Sequence, residues 1–291
     1  MLNQLIEQLG HTVSIAWNIL NGTNRSPYDV FHVVSIAFIL YVVLRSVYIL
    51  ARIIWWRMIG LFNRPRTHQA FSVHREGGKR ILIIGDSTAF GTGARRPEDS
   101  ITGRLAHDFQ GTEIVNLAVN GSLTKDVAVQ IGKAQGKFDM VVISTGGNDI
   151  WHFTPLKKIE YWLEQVLKEA ITVSDHRVIV LLYANFGLSP LFPKLLRHIL
   201  VQRSEKVRLI FEKICAQLKV PCIDLYTGES SDMLASNPFK QEPETYFSSD
   251  YMHPSSEGYG LWYRHMWAEM VRRGYYFREE IPTEKMRPYL R

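Results

Sequence analysis

Apolar residues fall along this chain in three textures. The longest is a charge-free run, VFHVVSIAFILYVVL, over residues 30–44. Arg45 interrupts it, and SVYILA carries the apolar character on to Ala51. Residues 30–51 match the roughly 20 positions that an α-helix needs to cross a bilayer core. Arg45 would lie toward one end, where its aliphatic stem reaches the headgroups. Trp55 and Trp56 follow, a residue type that collects at membrane interfaces. An in-plane anchor and a buried core helix are the competing structures. The all-round apolarity and the arginines beyond the run favour a span. No positively charged segment leads the run and no small-residue cleavage site follows it, so it reads as an anchor and not as a cleaved signal. Before it, Leu2, Leu5, Ile6, Leu9, Val13, Ala16 and Trp17 recur near helical spacing, which predicts an amphipathic helix within residues 1–27.

The third texture starts at Lys79. Short continuous apolar runs recur at ILIIG (81–85), EIVNLA (113–118), FDMVVIS (138–144), RVIVLLY (177–183) and PCIDLY (221–226). ILIIG has the length and the unbroken apolarity of a strand covered on both faces, and the other runs are similar to it. Helix-like segments separate them at 98–109, 124–135, 155–173 and 193–218, and a last one spans about 256–273. This alternation predicts an α/β fold with a parallel five-stranded sheet between helical layers. The expected organisation is an amphipathic helix at 1–27, a membrane helix at 28–59, a basic linker at 60–79 and a catalytic α/β domain at 80–291.

Charge refines this division. The chain carries a net charge of +6 over 291 residues. Residues 51–80 hold Arg52, Arg57, Arg64, Arg66, Arg75, Lys79 and Arg80 against one acid, Glu76, so the whole excess sits in that belt. A protein that coats nucleic acid would spread its positive charge, and no nucleic-acid partner is expected. The belt is suited to anionic lipid headgroups. It also places the C-terminal side of a single membrane span in the cytoplasm by the positive-inside rule. The two cysteines, Cys215 and Cys222, read as buried thiols and are too few for a metal site.

In a parallel sheet, ligands gather beyond the carboxyl ends of the strands, and chemically distinctive residues follow several of them here. Gly85-Asp86-Ser87-Thr88 follows the first strand. Its serine could act as a nucleophile whose own N–H faces an oxyanion, or simply cap a helix. Asn120-Gly121 follows the second strand, where glycine lets backbone approach a substrate oxygen. Gly146-Gly147-Asn148-Asp149 follows the third strand and offers a neutral amide donor. Asp250-Tyr251-Met252-His253-Pro254 precedes the last helix. An aspartate three residues before a histidine can hold Nδ1–H and leave Nε2 to take a proton, although such a pair also suits a metal.

In this order, the four blocks resemble the SGNH (GDSL-like) hydrolase superfamily over about residues 80–275. That family is named for a Ser in G-D-S, a Gly, an Asn in G-x-N-D and a His in D-x-x-H. The chain supplies Ser87, Gly121, Asn148 and His253, with Asp250 beside the last. Thr88 stands where the best-known members have Leu. The resemblance implies a flavodoxin-like three-layer fold and serine esterase chemistry on acyl esters or thioesters. It implies a catalytic triad of Ser87, His253 and Asp250, an oxyanion hole of Ser87 N–H, Gly121 N–H and the Asn148 amide, and no cofactor or metal. Asp86 and Asp149 read as turn or supporting residues. After the fourth strand, FGLSPLFPKLLRHIL (186–200) is expected to line the substrate site through Phe186, Leu188, Leu191 and Phe192. With the anchor, it suggests a lipid-like substrate such as a lysophospholipid. An acyltransferase or a carbohydrate O-deacetylase with the same triad is the near alternative. A metal-dependent phosphoesterase using Asp86, Asn148, Asp149 and His253 and a non-catalytic lipid-binding scaffold are alternatives of other classes.

Overall fold

The computed structural model describes residues 10, 11, 14, 17, 27–62, 70–174, 177–182, 186–225 and 237–274. The chain divides into two compact units, Met1–Leu61 and Phe62–Arg291. In the first unit, helix α1 runs from Pro27 to Phe62. Proline suits a first helical turn because its missing N–H would have no intrahelical partner there. Within α1, the 21 residues Phe31–Ala51 are long and apolar enough to cross a membrane, and none of that stretch is buried in the structure. The Ser46 hydroxyl donates to the Val42 carbonyl at 2.8 Å, so the stretch exposes no unsatisfied hydroxyl there. The helix continues three residues beyond the expected end at 59, and Arg52 and Arg57 lie within it. Of the amphipathic segment expected at 1–27, Gly10, His11, Ser14 and Trp17 are helical and most of the rest lies outside the described residues. Residues 63–69 of the expected linker, with Arg64 and Arg66, also lie outside them.

The second unit contains the sheet. Its elements in chain order are β1 (Arg80–Gly85), α2 (Ser87–Phe90), a 3-10 turn (Pro97–Asp99), α3 (Ile101–Asp108), β2 (Glu113–Asn116) and α4 (Thr124–Ile131). Then come β3 (Met140–Ser144), α5 (Gly147–Trp151), α6 (Leu156–Val173), β4 (Val178–Leu182), α7 (Lys194–Gln217) and β5 (Cys222–Asp224). Two short helices, α8 (Pro238–Gln241) and α9 (Pro243–Tyr246), precede α10 (Ser256–Arg273). The strands form one parallel sheet in the order β2-β1-β3-β4-β5. Side chains alternate across a strand. Ile81 and Ile83 therefore join Leu105, Tyr259, Met266 and Trp267 on the α3/α10 face. Leu82 and Ile84 join Val127, Leu163, Val207 and Phe211 on the α4/α6/α7 face. Both faces of β1 are buried, which is why its sequence has no polar alternation.

Two basic residues of the belt, Lys79 and Arg80, form ion pairs within this unit. Lys79 pairs with Asp139 at 3.1 Å and Arg80 with Glu113 at 2.5 Å, and Arg80 also covers the Phe138 ring. Cys215 is buried and Cys222 half-buried, both as free thiols. The Cys222 thiol's hydrogen bond to Cys215, and then its burial, push it well above its ordinary range.

Candidate active site

The register places Gly85 beside Ser144, so β1 and β3 deliver their chain ends to one edge of the sheet. Gly85 has φ 145°, and a Cβ there would lie 1.8 Å from the Ser144 carbonyl oxygen. Only glycine allows this turn. Asp86 N–H then donates to the Ser144 carbonyl at 2.9 Å. The Asp86 carboxylate caps α2 by accepting from Thr88 N–H at 3.0 Å and from the Thr88 hydroxyl at 3.0 Å. The helix cap is therefore Asp86. Ser87, the first helical residue, keeps its Oγ for another partner.

That partner is His253, whose Nε2 lies 2.8 Å from Ser87 Oγ. Nδ1 of the same ring lies 2.6 Å from Asp250 Oδ2. The other carboxylate oxygen accepts from Met252 N–H at 2.9 Å, His253 N–H at 2.9 Å and Ser248 Oγ at 2.7 Å. Burial alone would raise the Asp250 pKa. The His253 ring and these backbone donors outweigh it and hold the carboxyl down at about 2. An ionised Asp250 fixes the proton on Nδ1 and turns the Nε2 lone pair toward Ser87. Between the two residues, Tyr251 takes φ 52°, a conformation that bulky side chains seldom adopt. The strained residue is clamped from both sides: its N–H donates to the Ser248 carbonyl at 2.9 Å, and its carbonyl accepts from Ser189 Oγ at 2.6 Å. Ser255 caps α10 through Gly258 N–H at 3.1 Å and so fixes the loop's exit.

Asn148 and Gly121 complete the edge. The Asn148 amide donates to the Ser122 carbonyl at 3.0 Å, which ties the β3 turn to the β2 turn. Gly121 adopts φ 81°. Among the described residues, the N–H groups of Ser87 and Gly121 meet no acceptor. Asp149 accepts from Thr124 N–H at 2.8 Å and the Thr124 hydroxyl at 2.7 Å, and so anchors α4. Asp86 and Asp149 thus support turns. Among the described residues, no three His, Cys, Asp or Glu side chains converge as metal ligands would.

Gln130 is the residue that the motif blocks do not reveal. It is buried on α4. Its Oε1 accepts from Gly85 N–H at 2.8 Å, and its Nε2 donates to the Gly85 carbonyl at 2.8 Å and to Ser122 Oγ at 3.0 Å. One amide therefore holds the serine turn and the glycine turn together. The only hint in the sequence is a glutamine on the helical face of Val127 and Ile131. Thr88 is a second such residue. Its hydroxyl lies 3.0 Å from Ser144 Oγ and so links the two strand ends.

A cleft of about 80 Å³ opens over Ser87 and His253. Asn148 and Gly147 line one side, and Phe186, Leu188, Phe239, Phe247 and Trp262 supply apolar wall. Of the expected substrate residues, Phe186 and Leu188 face this cleft. Phe192 is buried behind Phe186, with ring centroids 5.8 Å apart, and Leu191 packs on the same core. Gly121 and Asp250 are not part of the cleft lining.

Residues 83–261, more than half of the chain, match the GDSL-like Lipase/Acylhydrolase family. No curated protein matches the chain. Among solved structures, a member of the lipolytic protein G-D-S-L family from Veillonella parvula superposes with a TM-score of 0.52 at 17% identity, over 64% of this chain and 95% of that one. A two-domain esterase active on acetylated mannans superposes with 0.50 at 14% identity, over 67% of this chain and 50% of that one. An extracellular lipase from Streptomyces rimosus gives 0.49 at 18% identity, over 64% and 96%. At such identities the first two likenesses establish a shared fold and nothing finer.

Proposed function

The chain belongs to the GDSL-like lipase/acylhydrolase family, and from that premise we propose that it hydrolyses carboxylic esters of short acyl groups by a serine mechanism. The observation that carries the reading is the unbroken relay from Ser87 Oγ to His253 Nε2 at 2.8 Å and from Nδ1 to Asp250 at 2.6 Å. Ser87 Oγ attacks the ester carbonyl as His253 Nε2 takes its proton. The ionised Asp250 stabilises the imidazolium that forms. The oxyanion is met by the N–H groups of Ser87 and Gly121 and by the Asn148 amide. His253 then returns the proton to the departing alcohol oxygen, and the C–O bond breaks. Water repeats the cycle on the acyl-serine, giving the free acid and restoring Ser87.

The cleft argues for the acyl length. An enclosed apolar cavity of roughly 150 Å³ takes up benzene. About 80 Å³ is half of that and suits an acyl group of two or three carbons. This shifts the reading away from the long lipid chain suggested by the composition of residues 186–200. The proposal includes a membrane anchor in the helix around Phe31–Ala51, with the hydrolase unit on the cytoplasmic side, a sidedness that the arginines following the helix favour. The test is a p-nitrophenyl ester series from acetate to decanoate with the full chain. The proposal expects kcat/KM to peak at acetate or propionate and to fall at least about tenfold by octanoate. A peak at decanoate contradicts the short-acyl assignment, and no turnover of any ester contradicts the hydrolase.

A further inference from the structure

A patch of side chains outside the cleft mouth takes no part in this chemistry. We infer that this patch docks the hydrolase unit on an anionic lipid bilayer, with its apolar side chains at the depth of the upper acyl chains. Trp151 and Phe153, at the end of α5, are 40% and 50% exposed, and Leu195 and Ile199, on the first turns of α7, are 77% and 42% exposed. They form one surface. Leu195, Ile199 and Arg203 lie four residues apart on one helical stripe, and the Arg203 guanidinium sits 5.5 Å over the Phe153 ring. Trp151 packs on Phe192 at 5.2 Å, and Phe192 on the cleft residue Phe186 at 5.8 Å. The patch therefore runs up to the mouth of the site. Exposed apolar side chains of this size, side by side, mark an interaction surface. Phe153 also takes φ 53° at a helix end, where glycine or asparagine is the usual residue. The chain thus holds a large ring outward in a disfavoured backbone conformation.

Charge selects the occupant. Residues 150–159 and 186–204, which build the patch, contain no Asp or Glu and carry Lys157, Lys158, Lys194, Arg197 and Arg203. Lys157, Lys158 and Lys194 are exposed and form no ion pair among the described residues. Aromatic and aliphatic side chains rimmed by unpaired lysines match an interface of acyl chains beneath anionic headgroups. A second copy of the chain would bring the same positive rim against itself, which charge repulsion opposes. A helix long and apolar enough to span a membrane is already part of this chain. The docking itself does not depend on the hydrolase reading. Its consequence, access to esters presented at the bilayer surface, does.

The test uses the full chain reconstituted in phosphatidylcholine vesicles with and without phosphatidylglycerol. In a background with Cys215 and Cys222 replaced by alanine, an environment-sensitive fluorophore is placed at Leu195→Cys. A control fluorophore is placed at Gln110→Cys, an exposed position before β2, at the opposite end of the sheet. Lipids spin-labelled on the acyl chain should quench the probe at 195 and leave the probe at 110 bright, with stronger quenching when phosphatidylglycerol is present. Each lysine near an anionic surface contributes about fivefold to partitioning. The combined variant K157E/K158E/K194E should therefore lose most of the quenching at 195. Equal quenching at 195 and 110 overturns the proposal. So does a probe at 195 that is shielded from lipid and responds only to protein density, which would mean a copy-to-copy contact. Turnover of p-nitrophenyl acetate by the same vesicles shows whether the catalytic reading stands independently.

Discussion

Replacing Gln130 by leucine tests how the site is held together without touching any group that meets substrate. The side chain is buried, so leucine is tolerated for volume but not for hydrogen bonding. Three bonds are lost, two to Gly85 and one to Ser122. The Gly85 carbonyl keeps a second donor in Val119 N–H at 3.2 Å, whereas the Gly85 N–H loses its acceptor. A buried donor left unpaired costs about 1–3 kcal/mol, and each ordinary bond about 1 kcal/mol. The expected destabilisation is about 2–4 kcal/mol. The catalytic effect is larger than a structural role alone would give, because the two turns tied by Gln130 carry Ser87 and Gly121. A misplacement of about 1 Å between nucleophile and oxyanion donors costs on the order of 10²-fold. The kcat of Gln130→Leu should thus fall about 10–100-fold with KM nearly unchanged. Gln130→Glu, which keeps an oxygen facing the Gly85 N–H, should recover part of the loss. Steady-state kinetics on p-nitrophenyl acetate and urea unfolding measure both quantities. A leucine variant with wild-type kcat would refute the positioning argument, whatever its stability.

Other expectations follow from the same geometry. Asn148→Ala should lower kcat by about 10²–10³-fold with a small change in KM, because the amide acts on the developing oxyanion; a loss confined to KM would show that Asn148 only binds substrate. The Asp250 carboxyl is held at about 2, below its ordinary 3.8. Its stabilisation is therefore complete above pH 3.8, amounts to about 2 kcal/mol and is lost as pH falls through about 2. Urea unfolding across the acid range should show this limb in the wild type and its loss in Asp250→Asn, and identical limbs would contradict the assignment. Leu188→Ala widens the cleft wall and should move the chain-length optimum toward longer acyl groups; an unmoved optimum would place the acyl group elsewhere.

The sequence shows the scaffold plainly because its physics is local. A strand covered on both faces is mostly apolar, and all five runs from ILIIG to PCIDLY form strands of one parallel sheet. The long helices likewise fall within a few residues of their periodic segments. The short helices α2 and α5 leave no such trace. Each is a single turn set by its strand end and cap, at Asp86 and Gly146, and not by a repeating pattern. The motif blocks put Ser87, Gly121 and Asn148 at one edge because each follows a parallel strand, whereas His253 comes on the loop before the last helix. The supports were illegible for the opposite reason. Gln130 and Ser189 act across 45 and 62 residues of chain, on Gly85 and Tyr251. No local periodicity records such contacts. Residues 186–200 illustrate a further limit. Their composition marks them as apolar, but only packing decides that Phe186 and Leu188 face the cleft while Phe192 turns into the core.

We propose Ser87 as the nucleophile of a relay through His253. The direct measurement is labelling of the full chain by a fluorophosphonate, with the modified residue located by mass spectrometry. An adduct should form on Ser87, none on Ser87→Ala, and labelling should slow in His253→Ala. Esterase kcat should fall roughly 10⁴–10⁶-fold in Ser87→Ala. A label on another residue, or ester hydrolysis undiminished in Ser87→Ala, would contradict it.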